Sequence, residues 1–178
     1  MNRGGPAYVC EGMSRVLVVL VMVAGFLVGV AGPAAACSCA VAKPKELVRG
    51  SSAVFTATAT GVRVVEPMLD GGEVVATLRV DHVYKGSPGV RTQVRTRAQS
   101  AACGYQFAKG TRYLVFARKG KKGLTTGLCS GNRVLPPGDK PLRLSDRTYG
   151  MGPLTAELMK ALGKPERPRK PRACDGRA

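Results

Sequence analysis

The chain has 178 residues and a formal net charge of +17, which bounds it to one folded domain with little room for a second. It has no Trp, four Phe and five Tyr. Its Lys and Arg residues are scattered rather than interleaved with aromatics, so no stacking platform for bases is formed and no nucleic-acid partner is expected.

Residues 1–36 have the plan of an export signal. Arg3 and Arg15 precede an uncharged apolar run from Val16 to Ala31, Pro33 ends it, and Ala34-Ala35-Ala36 supplies the small residues that signal peptidase needs. The alternative is an uncleaved membrane anchor, since the run counted through Ala36 approaches the roughly 20 residues that span a bilayer. Cleavage before Cys37 would also suit a lipoprotein, but Ala34 stands where a lipidation box places Leu. The expectation is therefore a secreted protein, membrane-bound only if the signal is retained or Cys37 is lipidated. Removing Arg3, Glu11 and Arg15 leaves the mature part at +16. An exported basic protein meets anionic surfaces such as cell-envelope polymers, lipid headgroups or acidic glycans; solubility explains the charge equally well. The abundance of Ala, Gly, Val and Arg fits a GC-rich bacterial gene.

Pro44 suits the first turn of a short helix after Cys39. From Ala53 to Val65, Val54, Thr56, Thr58 and Thr60 alternate with Phe55, Ala57 and Ala59, the period of a strand. Asp70-Gly71-Gly72 signals a turn into a second strand, Glu73 to Tyr84, and the pair reads as a hairpin. Lys85 to Gly89 breaks the chain, and Val90 to Arg97 is a third strand with one wet face. Gln99 to Gly110 is a loop. Thr111 to Arg118 is a compact apolar strand, and Leu124 to Cys129 a fifth. Five strands with turns between them favour a small barrel or sandwich. Residues 136–163 read as a linker and a short amphipathic helix (Thr155 to Leu162), whose Leu154, Leu158, Met159 and Leu162 dock on the core. Residues 164–178 are basic and Pro-rich and are expected to be disordered.

Enzyme signatures are absent, and no catalytic role is expected. His82, the single histidine, lies within a strand pattern and reads as structural. No carboxylate pair, phosphate-binding glycine loop or nucleophile elbow stands out. The cysteines carry the signal. Cys10 lies in the export segment, leaving Cys37, Cys39, Cys103, Cys129 and Cys174. Outside the cytoplasm such cysteines pair. Five is odd, and Cys174, in the Pro- and Arg-rich tail, is the natural outlier. A zinc site is the alternative for the other four, but structural sites space their paired cysteines by about two to four residues. Two disulfides from Cys37 and Cys39 would each close a long loop, worth roughly 4 kcal/mol in the chain-entropy model.

These residues resemble a known family. Cys37-x-Cys39 at the mature start, Val83-Tyr84-Lys85-Gly86, Ala102-Cys103-Gly104-Tyr105, Tyr113-Leu114-Val115 and Gly127-Leu128-Cys129 are similar, in order and spacing, to the N-terminal domain of tissue inhibitors of metalloproteinases. The resemblance covers Cys37 to Leu135. It implies an all-β, five-stranded netrin-like barrel of the oligonucleotide/oligosaccharide-binding (OB) type with short flanking helices, and no cofactor of its own. It also implies disulfides Cys37–Cys103 and Cys39–Cys129. The family's third bridge is missing, because no cysteine stands near Leu47 to Ser52 and Cys174 has no counterpart. The C-terminal subdomain is missing too. The implied function is inhibition of a zinc metalloprotease, with the amine and carbonyl of Cys37 chelating the protease's zinc. Ser38 would enter the specificity pocket and Ala101-Ala102 would form a second contact ridge. The alternative is a non-inhibitory binding or adhesion module that contacts anionic cell-envelope polymers.

Overall fold

The computed structural model describes residues 37–40, 42–66 and 72–169. The export segment with Cys10, the Asp70-Gly71 turn, and the end of the tail with Cys174 lie outside the described residues. The domain is mostly β-sheet with two short helices. In chain order it runs α1 (Pro44–Gly50), β1 (Ala53–Glu66), β2 (Glu73–Lys85), β3 (Arg91–Arg97), β4 (Arg112–Gly120), β5 (Gly123–Thr125), β6 (Arg133–Leu135), β7 (Tyr149–Gly150) and α2 (Ala156–Leu162). Among the described residues no helix is long and apolar enough to cross a membrane.

The strand pairings return on themselves. β1 pairs with β2, β2 with β3, β3 with β5, β5 with β4, and β4 again with β1. All are antiparallel except β3–β5. β6 and β7 extend the sheet from β4. Phe55, Ala57 and Ala59 of β1, Ala76, Leu78 and Val80 of β2, Val94 of β3, and Tyr113, Val115 and Ala117 of β4 form one buried cluster. The residues between them point the other way, as strand period demands. Val54, Leu114 and Phe116 join Leu135, Leu142, Leu154, Leu158 and Leu162 in a second cluster. The first half of β1 and β4 through Ala117 are thus buried on both faces, which is why Tyr113 to Phe116 reads as an unbroken apolar run.

Residues 136–163 do more than link, for Leu142, Leu154, Leu158 and Leu162 are all buried. Thr155 caps α2 by accepting the Leu158 N–H, and the Lys85 ammonium donates to the carbonyls of Val48 and Arg49 at the end of α1. The tail does not leave the domain at residue 164. Val83 and Glu166 exchange both backbone hydrogen bonds, and Val90 donates to the Arg169 carbonyl. The part through Arg169 is therefore ordered against β2 and the turn after it.

The fifth strand is shorter than its composition predicts. It stops at Thr125, and Leu128–Ser130 is a 3-10 turn. The reason lies on β4. In the gap between β5 and β6, the Phe116 N–H donates to the Asn132 side-chain oxygen and the Thr126 hydroxyl donates to the Phe116 carbonyl. Side chains satisfy these two buried backbone groups, and the chain is free to turn outward at Gly127.

Candidate functional site

Three separate segments meet around the cysteines. Cys37 is bonded to Cys103 and Cys39 to Cys129, with Cα–Cα distances of 5.4 and 5.1 Å. This is the connectivity that the resemblance implies, and it occupies the four sulfurs that a zinc site would need. Disulfides of this kind form outside the cytoplasm.

The second segment is a 3-10 turn, Ser100–Ala102, closed by Ala102 and Cys103 N–H groups donating to the carbonyls of Gln99 and Ser100. Cys103 ends it in the left-handed region at φ 62°, a conformation that non-glycine residues hold only where the surroundings fix it. Here the disulfide and the following residue fix it. Gly104 is buried, its N–H donates to the Gln99 carbonyl, and a side chain there would run into the Arg97 backbone. Tyr105 then donates its N–H to the Thr96 hydroxyl, and its ring packs edge-on against Phe107 and Tyr113. Burial pushes the Tyr105 phenol well above its ordinary pKa, so it stays neutral.

The third segment carries Cys129. Leu128 donates its N–H to the Cys103 carbonyl at 2.8 Å, which joins it to the second segment directly. A Cβ at Gly127 would strike that same carbonyl, so glycine is needed for the approach. From below, the fully buried Asn132 donates to the Thr126 hydroxyl and the Gly127 carbonyl. Arg133, also buried, donates to the carbonyls of Gly131, Met151 and Gly152. Burial lowers its pKa, and the three carbonyls supply the solvation that water would have given.

The outcome is an exposed ridge on a fixed base. Ser38, Ala101 and Ala102 are exposed, while Cys37 and Cys39 are partly covered. Ser38 lies between the two half-cystines, and Ala101-Ala102 immediately precede the partner of the first. The ridge has small side chains and no titratable group of its own. Among the described residues no group of three or more His, Cys, Asp or Glu is placed to hold a metal ion. Of the residues that hold the third segment of the ridge, Gly127 stands in the Gly127-Leu128-Cys129 motif, Asn132 is marked only as the end of the Gly-x-Cys-x-Gly-Asn run around Cys129, and nothing in the pattern marks Thr126. Comparison with known proteins yields no matching family model and no matching curated protein.

Proposed function

We propose that the chain is a secreted inhibitor of zinc metalloproteases built on a netrin-like, OB-type barrel, its signal segment removed before Cys37. The observation that carries this reading is the covalent joining of Ser38 and Ala101-Ala102 through the Cys37–Cys103 bond, which would present both segments to one cleft. A freed Cys37 amine and the Cys37 carbonyl would then chelate the zinc of the target. A catalytic zinc keeps one position for water, and a chelator there removes the nucleophile. The amine must be unprotonated to bind, and an α-amino pKa of about 7.7–8.0 makes this easy near neutrality. Ser38 would enter the pocket beside the zinc. Because two disulfides fix the ridge beforehand, little conformational freedom is lost on binding.

The test begins with the intact mass of the exported protein, before and after reduction with alkylation. A chain starting at an unmodified Cys37 with its disulfides formed is expected. That chain should inhibit zinc endoproteases, and one extra Ala before Cys37 should abolish inhibition by converting the amine to an amide. A lipidated Cys37, a start elsewhere, or inhibition indifferent to the extra residue rules the mechanism out.

A second reading has its own observation. Arg79 and Arg91 face each other across β2 and β3, and both are exposed. Like charges placed so are unfavourable; the Asp81 carboxylate, 3.4 Å from Arg79, offsets part of this, and an external anion between the two arginines would offset more. A binding module for anionic cell-envelope polymers would show retention on such polymers that falls steeply with salt, with no effect on any protease.

A further inference from the structure

A second site lies among residues that the ridge does not use. In the register of β1 and β2, Thr56 faces His82 while Ala57 faces Val80. Asp81 is therefore an extra residue, a β-bulge, of the kind that re-aims side chains beside binding sites. Its carboxylate is only 1% exposed. One oxygen takes a hydrogen bond from the Arg112 guanidinium, itself 5% exposed, and the Arg79 guanidinium stands 3.4 Å from the other.

Over this floor runs Pro136-Pro137-Gly138-Asp139-Lys140-Pro141. Arg112 donates to the Lys140 carbonyl, and the Leu142 N–H donates to the Tyr84 hydroxyl. Three cavities, of about 320, 260 and 350 Å³, lie beneath and beside the loop; Asp139 lines all three, Arg79 the first and third, and Arg112 the second and third. Asp81, His82 and Arg167 line the first.

Buried side-chain polar atoms nearly always have partners. Among the described residues three make no hydrogen bond: the Thr56 hydroxyl oxygen, His82 Nδ1, and the Asp81 oxygen that the Arg79 guanidinium approaches at 3.4 Å. All three belong to this one patch of β1 and β2. A floor so arranged holds hydrogen-bonding capacity in reserve. The Asp81 oxygen beside Arg79 has room to accept a hydrogen bond, and Arg79 and Arg167 donate, so a matching ligand must offer both kinds of group at close spacing. Hydroxyl groups do that. The walls mix polar and apolar surface in nearly equal shares and carry no aromatic ring besides the His82 imidazole, which argues against a flat apolar ligand. Cations outnumber carboxylates around the cavities, with Arg79, Arg112, Arg143, Arg167 and Lys140 against Asp81, Asp139 and Asp146.

We infer that this groove binds a saccharide unit carrying an acidic group, its hydroxyls meeting Asp81 and His82 and its anion meeting Arg79 and Arg167. The inference stands apart from the inhibitory reading, since the groove and the ridge have no residue in common, and it deepens the anionic-polymer reading, with which it shares Arg79.

Because the chain has a single histidine, the His82 ring signals in a proton NMR spectrum report on this groove alone. The full chain would be titrated with uronate trisaccharides of the galacto and gluco series, with maltotriose as a neutral match, and with inorganic polyphosphate. A saturable shift of the His82 signals with an acidic trisaccharide, much weaker with maltotriose, is expected. Arg167→Ala, at an exposed position, should keep the fold and weaken binding about tenfold, the effect of one charge-assisted hydrogen bond. Asp139→Asn should not weaken binding. Absence of a saturable shift with both acidic sugars overturns the inference. So does polyphosphate moving the signals as well as the sugars do, which would make the groove a general anion site.

Discussion

The disulfide ridge and the Asp81 floor solve opposite problems. The ridge keeps small, exposed residues in one place with almost no apolar support, and it does so by covalent bonds and backbone hydrogen bonds. The floor keeps charged side chains out of water under a proline-rich loop, and it does so by pairing Asp81 with Arg112 and Arg79. The first arrangement makes the surface residues energetically idle. The second makes each floor residue depend on its neighbours. A binding surface that is rigid yet free to vary in sequence follows from the first, and a buried polar site intolerant of single changes from the second.

The largest effect should come from unfastening the ridge. Cys39 and Cys129 are 90 residues apart, and removing their bond by Cys39→Ser with Cys129→Ser should cost about 4 kcal/mol in the chain-entropy model. Urea unfolding followed by circular dichroism measures this. If stability barely moves, the third segment is held by Asn132 and Arg133 alone, and the ridge does not depend on its covalent bonds. By comparison, Ser38→Ala or Ala102→Ser should change stability by no more than about 0.5 kcal/mol.

On the floor, Arg112→Met should destabilise by about 3 kcal/mol, because it leaves a buried carboxylate without its closest cation. Adding Asp81→Asn to that variant should restore much of the loss, whereas the same Asp81→Asn alone should be harmful. A thermodynamic cycle over the four proteins gives the coupling directly. Strict additivity would mean that the two side chains act independently. A smaller loss, about 2 kcal/mol, is expected for Asn132→Ala, which strips the partner from the buried Phe116 N–H. Its signature is local, namely faster amide exchange at Phe116 and Leu128.

Much of the β architecture was legible in the sequence, because alternation and turn residues report which face of a strand is buried. β1, β2 and β4 and the second helix lie within a residue or two of their predicted bounds, the first helix has Pro44 in its first turn as expected, and β3 begins at Arg91 rather than Val90. β5 was overextended, because Thr125 to Leu128 has strand composition while the chain's exit depends on Asn132, which is distant in period. β6 and β7 have three and two residues, too few to show a period. The cysteines of the ridge were visible at once, but no rule of spacing chooses among connectivities. The floor was not visible. Arg79, Asp81, His82, Arg112 and Asp139 come from two strands and a loop, and only a bulge brings Asp81 to Arg112. A histidine inside a strand pattern gives no warning of such company.

The smallest expected effect separates the two regions by pH. The ridge has no group that titrates near neutrality while its amine is part of a peptide bond. The floor has His82, whose pKa is lowered from 6.5 chiefly by burial and next by Arg112, with Arg167 acting in the same sense and Asp81 and Asp139 opposing. A base whose folded pKa lies below its unfolded value binds fewer protons when folded. Stability therefore rises with pH in the window between the folded pKa and 6.5. It is lost as pH falls through 6.5 and levels off below the folded pKa. His82→Gln should flatten that part of the stability profile while leaving the disulfide contribution intact. A profile that keeps its slope after His82→Gln would place the titrating group elsewhere and remove His82 from the account of the floor.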